Sequence, residues 1–395
     1  MSFPTFFSAI PVPETQVGLA IETTRGEAKA PEYWLPIMGP KYEPVLQLLP
    51  DKTLRGSMVD IYDEIPGLRH DTHAWDSYPY LDSFPVLVRA LLGSKDTKTV
   101  KSEPEELEAE AKAGATEVEF KKEVAAGSYV VIGTGVGTQE TVLVTNKAKK
   151  ATIAYPLSYT HTAKTLCTGL TKHEFSLLND SVSEGNQPPS CTLTDFAGEE
   201  DWRQLAAAQL STLTISGASD ALVKVAVDWF SYAAVTPSTP SPSYTTAEAP
   251  VGWSVKAAIG GTQVASIQSW DFDLKRNVKP IPALTGTQNY YQLFAGALDA
   301  TAKLTVIEDP KAVWLDAYEA GADESIDLTL YDVYSGDALN VHSSFARFTK
   351  GSLDRSKEWV EVPLELQLLP NSTDATAGGV SPVAITVANA HTTEY

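Results

Sequence analysis

The chain has 395 residues, of which 43% are hydrophobic and 20% charged, a balance typical of a folded globular protein with a full core. Fifty acidic residues against 30 basic ones give a net charge of −20, which argues against a protein that grips nucleic-acid phosphates or an anionic membrane with basic side chains. Two cysteines, Cys167 and Cys191, are too few for a disulfide scaffold or a zinc site. The length predicts two domains, or one large β domain with an insertion.

The charge is uneven along the chain. Residues 1–93 have a net charge of −5, residues 94–169 are neutral and residues 170–395 have a net charge of −15. The N-terminal stretch lacks the pattern of a signal peptide, and no segment approaches the ~20 apolar residues of a membrane helix. We therefore expect a soluble protein of a reducing compartment, with no membrane partner.

The first predicted element in chain order is a helix from Asp82 to Leu92. Asp82 or Ser83 can cap it, Pro85 is tolerated in the first turn and Gly93 is a stop signal. The next segment, 95–122, is charged and rich in alanine, which predicts a linker or a solvated helix.

Residues 96–169 are predicted to form a small all-β domain inserted into a larger one, because short strand patterns follow one another there and the charge differs from that of the flanking chain. Within it, the stretch from Gly133 to Gly137 (GTGVG) follows a strand, as a phosphate-binding turn does. A dinucleotide fingerprint requires a helix next, and the sequence from Glu140 to Thr145 predicts another strand instead. We expect a hairpin turn.

The rest of the chain reads mainly as strands. Two further helices are predicted, Glu199 to Gln209 and Pro310 to Glu319, the second with Asp309 as cap and Gly321 as stop. Hydrophobic and polar residues alternate in five segments, which predicts half-buried strands: 223–229, 266–274, 302–307, 325–333 and 359–368. Strands with few helices and no βαβ alternation predict a mainly β fold, an antiparallel β-sandwich or rolled barrel with packed helices.

A search for an active site finds no catalytic or cofactor-binding constellation. His70, Asp71 and His73 are of the types that bind metals, but they lie among Asp, Pro and Tyr residues and are interpreted as solvated loop residues. The carboxylates at 199–201 are interpreted as first-turn residues that meet a helix dipole. We expect no enzyme, no cofactor and no metal. The aromatic residues at 75, 78, 80 and 84 fit a small satellite core or a subunit interface equally well.

At this point the residues resemble a family, the major tail tube proteins of long-tailed (siphovirus-type) bacteriophages, particularly those infecting actinobacteria. The resemblance covers residues 17–93 and 170–368. The residues that carry it are these, in chain order: Gly18 to Ala28 (GLAIETTRGEA), Pro31, Trp34 to Ile37 (WLPI), Leu54 to Ser57 (LRGS), Tyr80 to Gly93, Asn179, Gln187 to Ser190, Gly260 and Gly261, Trp270, Lys275 and Arg276, Thr285 to Gln288, Gly296, Asp354 and Arg355, and Lys357 to Glu361. The segment 96–169 departs from the family pattern. Through Ile132 to Gly135 (IGTG), Glu140 to Val142 (ETV) and His161 it resembles a small β module embedded in various phage structural proteins.

The resemblance implies a discontinuous tail tube β domain (1–95 and 170–368), an external inserted β domain (96–169) and a C-terminal arm (369–395). It implies hexameric rings that stack into a hollow tube through which genomic DNA passes during ejection. The implied partners are other copies of the chain, a tape measure protein and tail-tip and terminator proteins. The implied location is the virion tail, with assembly in the host cytoplasm.

A DNA conduit must not hold DNA, and carboxylates facing the channel repel phosphates over a Debye length of about 8 Å. The candidates are Asp271 and Asp273 on one predicted strand and Glu361 and Glu365 on another, with Asp228 as a weaker one. Ordinary solvent exposure explains the four equally well. Alternation defines two faces of a strand but does not say which one lines the channel.

The segment from about Met58 to Tyr80 is predicted to be a long loop that contacts the next ring. Its candidate contact residues are Arg55, Asp63, Arg69, Asp71, Trp75 and Tyr78. The termini, Met1 to Gln16 and Pro370 to Tyr395, are candidate arms that order on assembly, and Val383 to Val387 is predicted to add a strand to a neighbour.

Three other functions stay open. The chain could be another phage structural part, such as a tail terminator or a decoration protein. It could be a β-sandwich adhesin or carbohydrate-binding protein that uses Trp75, Tyr78, Tyr290 and Tyr291 as sugar platforms. An enzyme is the least expected, because no constellation supports it.

Overall fold

The computed structural model describes residues 15–94, 96–99, 101–179, 185–196, 202–237, 241–308, 313–373 and 380–395. Strands predominate, in agreement with the mainly β prediction. The strands are β1 (Gln16–Ile21), β2 (Tyr33–Leu35), β3 (Met38–Asp51), β4 (Asp63–Ser77), β5 (Thr97–Thr99), β6 (Glu105–Glu106), β7 (Glu117–Val124), β8 (Tyr129–Ile132), β9 (Glu140–Leu143), β10 (Ala148–Thr152), β11 (Leu166–Gly169), β12 (Thr171–Phe175), β13 (Cys191–Phe196), β14 (Trp202–Ala218), β15 (Lys224–Ser231), β16 (Val255–Ile259), β17 (Thr262–Gln263), β18 (Ile267–Lys275), β19 (Lys279–Ile281), β20 (Gln292–Phe294), β21 (Asp299–Ile307), β22 (Asp323–Tyr331), β23 (Ala338–Gly351), β24 (Glu361–Leu368) and β25 (Ala384–Asn389). The helices are α1 (Phe84–Leu92) and α2 (Val313–Glu319).

Most strands join one large antiparallel sheet that bends at its two long strands, β14 and β23. One layer has the order β3-β4-β15-β14-β18-β21-β24-β23. The other has the order β17-β16-β22-β23-β25-β12-β5. The N-terminal half of β14 pairs instead with β13, which continues to β1 and β2. In the described part of the chain the sheets stay open and no barrel closes.

The layers enclose one hydrophobic core, as period-two alternation requires. In β18, Trp270, Phe272 and Leu274 are buried, whereas Asp271 and Asp273 between them are partly exposed. The neighbouring strands β15, β21 and β24 alternate in the same way. This confirms the strand prediction and gives the first layer one buried face and one open face.

Helix α1 closes one side of the core, and its sequence explains its bounds. Pro85 lies in the first turn, where a missing N–H has no cost, and Gly93 ends the helix with φ +85°, a left-handed conformation that suits glycine. Its buried face packs on β14 and β12. The predicted third helix is confirmed from Val313, whereas its start at 309–312 lies outside the described residues.

The carboxylate of Glu22 ties β1 to the bend of β14. Its oxygens accept hydrogen bonds from the hydroxyls of Ser190 and Thr192, at 2.6 and 2.9 Å, and from the backbone N–H groups of Gly26 and Ala207, at 2.7 and 2.8 Å. Ala207 has φ +52°, an uncommon conformation for a residue with a Cβ. A fully hydrogen-bonded buried carboxylate thus stabilises the bend where β14 changes from pairing with β13 to pairing with β15.

Residues 105–169 have a core and sheets of their own. One sheet has the order β6-β11-β8-β9 and a second pairs β7 with β10. The segment from Gly133 to Gly137 joins β8 to β9, so the predicted hairpin turn is confirmed and no helix follows it. The helical alternative for 95–122 is wrong, because the described residues there include β5, β6 and the start of β7.

The inserted segment contacts the large sheet through a second, smaller cluster. Tyr129, Val131 and Tyr155 pack there with Tyr331 and Ala338 of the large sheet. Both ends of the insertion meet where β5 pairs with β12, because Thr99 lies opposite Lys172. The insertion therefore occupies the position of a hairpin turn.

Three sequence predictions are wrong or altered. The helix predicted from Glu199 to Gln209 is part of strand β14 from Trp202 onward, and residues 197–201 lie outside the described residues. The predicted loop from Met58 to Tyr80 is a strand, β4, over Asp63–Ser77. Val383 to Val387 does not extend toward a neighbour, because Ala384–Asn389 pairs with β12 and β23 of its own chain.

Candidate assembly surfaces

The hairpin of β3 and β4 projects from the first layer. Its strands pair from Met38 opposite Asp76 out to Asp51 opposite Asp63. Strand β15 accompanies β4 only as far as Asp71, which lies opposite Ser231. Beyond that pair, Arg69 forms a parallel bridge with Asn289, and its N–H donates to the Gln288 carbonyl at 2.8 Å. Farther out, the hairpin continues as two strands and the connection 52–62.

The outer part of the hairpin is apolar and exposed. Leu54 is 98% exposed and Met58 is fully exposed. Other large apolar side chains of the projection are more than one third exposed: Leu46, Leu48, Leu49, Val59, Ile61 and Ile65. So many exposed apolar side chains on one projection indicate a surface that another protein covers.

Asp71 fixes the hairpin where it leaves the layer. Its side chain is fully buried and accepts hydrogen bonds from the Tyr42 hydroxyl (2.6 Å) and the Ala234 N–H (2.9 Å). The Arg69 guanidinium donates to both carboxylate oxygens, at 2.9 and 3.0 Å. Burial, and then the hydrogen bond to Asp71, raise the pKa of Tyr42 to about 12. The buried Asp71 carboxylate on β4 therefore binds Tyr42 on β3, and this contact joins the two strands at the base of the hairpin.

The six predicted contact residues do not form one surface. Arg55 lies in the connection, ion-paired with Asp51, and Asp63 begins β4. Arg69 and Asp71 lie at the base of the hairpin. Trp75 is buried and stacks on Trp229 with 5.8 Å between ring centroids, and Tyr78 follows the far end of β4. Of the six, only Arg55 and Asp63 lie at the exposed end of the hairpin.

The open face of the first layer carries three of the four candidate channel carboxylates. Asp271 lies opposite Lys303, which lies opposite Glu365 on the next strand. Asp273 lies two residues along, where it accepts a hydrogen bond from Thr214 (3.2 Å) and pairs with Lys275. Lys350 pairs with Glu365 at 3.0 Å. This face is polar and carries lysines as well as carboxylates.

The carboxylates of this face influence one another. Partial burial, followed by the negative charge of Asp273, raises the pKa of Asp271. Burial, and then Asp273 and Asp76, raise the pKa of Asp228 on β15. Repulsion between neighbouring carboxylates therefore links four aspartates of three strands: Asp271, Asp273, Asp228 and Asp76.

Glu361 is separate from that group. It lies at the start of β24, is buried, and accepts hydrogen bonds from the Lys357 ammonium and the Trp359 indole N–H, both at 2.7 Å. The Lys357 hydrogen bond lowers its pKa. These contacts hold the turn before β24 and leave the side chain directed away from bulk solvent.

The three residues considered as metal ligands point to different neighbours. Asp71 binds Arg69 and Tyr42, and His73 lies 3.5 Å from Asp195 in the interior. The ring of His70 stacks on Phe230, with 5.6 Å between ring centroids. Among the described residues, no group of three metal-ligating side chains is gathered, and no described helix has the length and hydropathy needed to span a bilayer.

A family model for phage tail tube proteins matches residues 13–386 of this chain. The chain belongs to the phage tail tube protein family. The match spans both parts of the large sheet as well as the insertion. No curated protein matches the sequence.

The exposed hairpin of this tail tube protein was not predicted from the sequence. The inner face of β4 consists of Asp71, His73, Trp75 and Ser77, all buried. Three of these four residues are polar, so the sequence of β4 does not show the alternation of apolar and polar residues that predicts a strand. A usable signal was the mainly apolar stretch at 45–49 (VLQLL), followed by a segment that contains the turn residues Asp51, Gly56 and Ser57, which is typical of a hairpin.

Proposed function

We propose that this tail tube protein forms hexameric rings that stack into the hollow tail of a long-tailed phage, through which genomic DNA leaves the virion. Tape measure, tail-tip and terminator proteins are the other partners, and assembly takes place in the host cytoplasm before the tube joins the virion. The observation that carries the proposal is the apolar hairpin of a chain that belongs to the tail tube family.

The hairpin supports contact between successive rings. A lone subunit exposes its apolar end to water, at a cost of roughly 25 cal/mol per Å² of apolar surface. Covering that surface with a second copy removes the cost. Rings related by rotation and translation require two different matching surfaces on each subunit, and the projection at one end of the strands provides one of them.

The open face of the first layer supports the channel wall. Asp271, Asp273 and Glu365 share this face, and Asp228 lies on it two strands away. Carboxylates repel phosphate, and the lysines beside them neutralise part of the charge within the sheet. A wall of paired charges and net acidity lets DNA slide without counterion release. Glu361 is not part of this proposed wall.

The proposal also divides the chain into domains. Residues 96–169 form the inserted domain and 1–95 with 170–368 form the tube domain. The insertion occupies a hairpin-turn position in the second layer, away from the open face of the first, so it decorates the outside. Within 369–395, the proposed arm is limited to the stretch before β25.

Substitution of the hairpin end tests the stacking. In a variant with Leu54→Ser and Met58→Ser, both side chains are exposed in the free subunit, so its thermal unfolding should not change. Electron microscopy and sedimentation should show rings that no longer grow into tubes. Leu166→Ser, which alters a side chain that is 64% exposed on the insertion, is the matched control and should form tubes normally. Tubes of normal length from the Leu54 and Met58 variant would contradict the role of the hairpin.

A further inference from the structure

The strands of the first layer define two ends of the subunit. The hairpin leaves at the end where β15 finishes at Ser231 and β18 finishes at Lys275. The opposite end holds the start of β15 at Lys224, the end of β14 at Ala218 and the start of β18 at Ile267. In a head-to-tail stack, the hairpin of one subunit meets this opposite end in the adjacent ring.

Two grooves flank the turn 219–222 at that opposite end. One has a volume of about 440 Å³ and includes Leu222, Lys224 and Lys303 in its lining. The other has a volume of about 250 Å³ and is lined in part by Trp253. Trp270 lines both grooves, and we call the two grooves together with the turn the receiving surface.

The receiving surface is apolar at its centre. Trp253 is 61% exposed and Leu222 is 36% exposed. The turn that carries Leu222 is held against the segment of Trp253, because the Gly252 N–H donates to the Ala221 carbonyl at 2.8 Å and the Val223 N–H donates to Pro250. The two apolar side chains are therefore presented on a fixed scaffold.

The charges of the hairpin end and the receiving surface are opposite. Residues 52–64 contain three carboxylates and two basic side chains, a net charge of −1. The charged residues of the receiving surface are Lys224, Lys256 and Lys303, together with Asp271 and, in the turn, Asp220, a net charge of +1. Complementary charge of this kind selects the partner and its orientation.

We infer that the receiving surface binds the hairpin end (residues 52–64) of the subunit in the adjacent ring. Leu54 and Met58 pack beside Leu222 and Trp253, and Asp63 and Glu64 face Lys224 and Lys303. This inference rests on the proposed function, because it names the partner surface of the hairpin within the stack.

Chemical cross-linking tests the contact directly. A Met58→Cys, Leu222→Cys variant is assembled into tubes and treated with a short bismaleimide. We expect covalent chains of many subunits in tubes and none in isolated rings. Met58→Cys with Lys147→Cys, which places the second thiol on the insertion, is the matched control. The natural Cys167 and Cys191 are buried, and burial raises their thiol pKa values, so they should not react.

Charge reversal gives a second, independent test. Asp63→Lys with Glu64→Lys should reduce tube yield at least about tenfold, and so should Lys224→Glu with Lys303→Glu. The chain that carries all four changes should recover tubes. Tubes without cross-linking and without recovery would overturn the receiving surface while leaving the proposed function intact. A wild-type chain that forms no tubes would instead overturn the proposed function.

Discussion

The Asp71 carboxylate and the Tyr42 hydroxyl, 2.6 Å apart, join the two strands of the hairpin at the last position where the layer supports it. The Ser231–Asp71 pair is where β15 ends its contact with β4. The hairpin's direction is thus set by a buried charge at its base, and its exposed end is free to bind another subunit.

Asp71→Asn should weaken both stability and stacking. The amide keeps the shape of the side chain but removes the charge that balances Arg69 and places N–H donors where acceptors are needed. We expect a loss of about 2–4 kcal/mol in the free energy of unfolding, measured with denaturant. Asp63→Asn, at the exposed hairpin end, is the control for stability and should leave it within about 0.5 kcal/mol. Equal stability of the two variants would contradict the role of Asp71.

Charge reversal on the open face should turn the tube into a DNA-binding surface. Asp271→Lys with Asp273→Lys replaces two carboxylates that share this face with two ammonium groups. Tubes of this variant should retain short DNA at low salt, with a retention that falls steeply as salt rises. Glu103→Lys with Glu110→Lys places the same charge change on the insertion and should not retain DNA inside the tube. If the two variants behave alike, the open face does not line the channel.

Replacement of Asp337 by asparagine should stabilise the protein in a pH-dependent way. Burial raises the pKa of its carboxyl to about 6, from an ordinary value of 3.8. Because the folded state holds the proton more tightly, ionisation costs stability as pH rises from about 4 to 6, and the cost is complete above 6. Asp337→Asn should therefore raise the free energy of unfolding by about 1–3 kcal/mol at pH 7.5. The gain should vanish below about pH 4, and a gain that persists there would contradict the cause given.

Excision of the insertion should leave a folded tube subunit. Thr99 and Lys172 lie opposite each other, so replacement of residues 100–171 by Asn-Gly closes β5 and β12 with a two-residue turn. The excised chain exposes Tyr331 and Ala338, which costs some stability. We expect thinner tubes without lateral projections in electron micrographs. An excised chain whose amide hydrogens exchange as in an unfolded protein would show that the tube domain needs the insertion.

Much of the fold could be predicted from sequence where one face of a strand is uniformly apolar, as in β18 and β24. The prediction failed where local preference and tertiary context disagree. Residues 202–210 are rich in alanine and leucine, which favour helix, yet they pair with β13 and β15 in the sheet. The hairpin was missed because Asp71 and His73 occupy inward positions that usually hold apolar side chains.

The candidate surfaces were predictable only in part. Alternation grouped Asp271 with Asp273, and the sheet adds Glu365 to the same face. Glu361 has the same parity as Glu365 but lies at the strand end, where Lys357 and Trp359 cover it. The periodicity of a strand does not show whether its first residue is covered, because that depends on the loop that precedes the strand. Nor could it reveal the receiving surface, which brings 219–222 and 252–257 together from separate turns.

Cryo-electron microscopy of the tubes, with helical reconstruction, would show the ring, the channel and the ring-to-ring contact in one map. We expect a hollow tube of six subunits per ring, with the open face of β18 lining the channel. We also expect the hairpin end to touch the next ring beside Trp253. A map in which the hairpin points into solvent, or in which β18 faces outward, would contradict the proposed assembly.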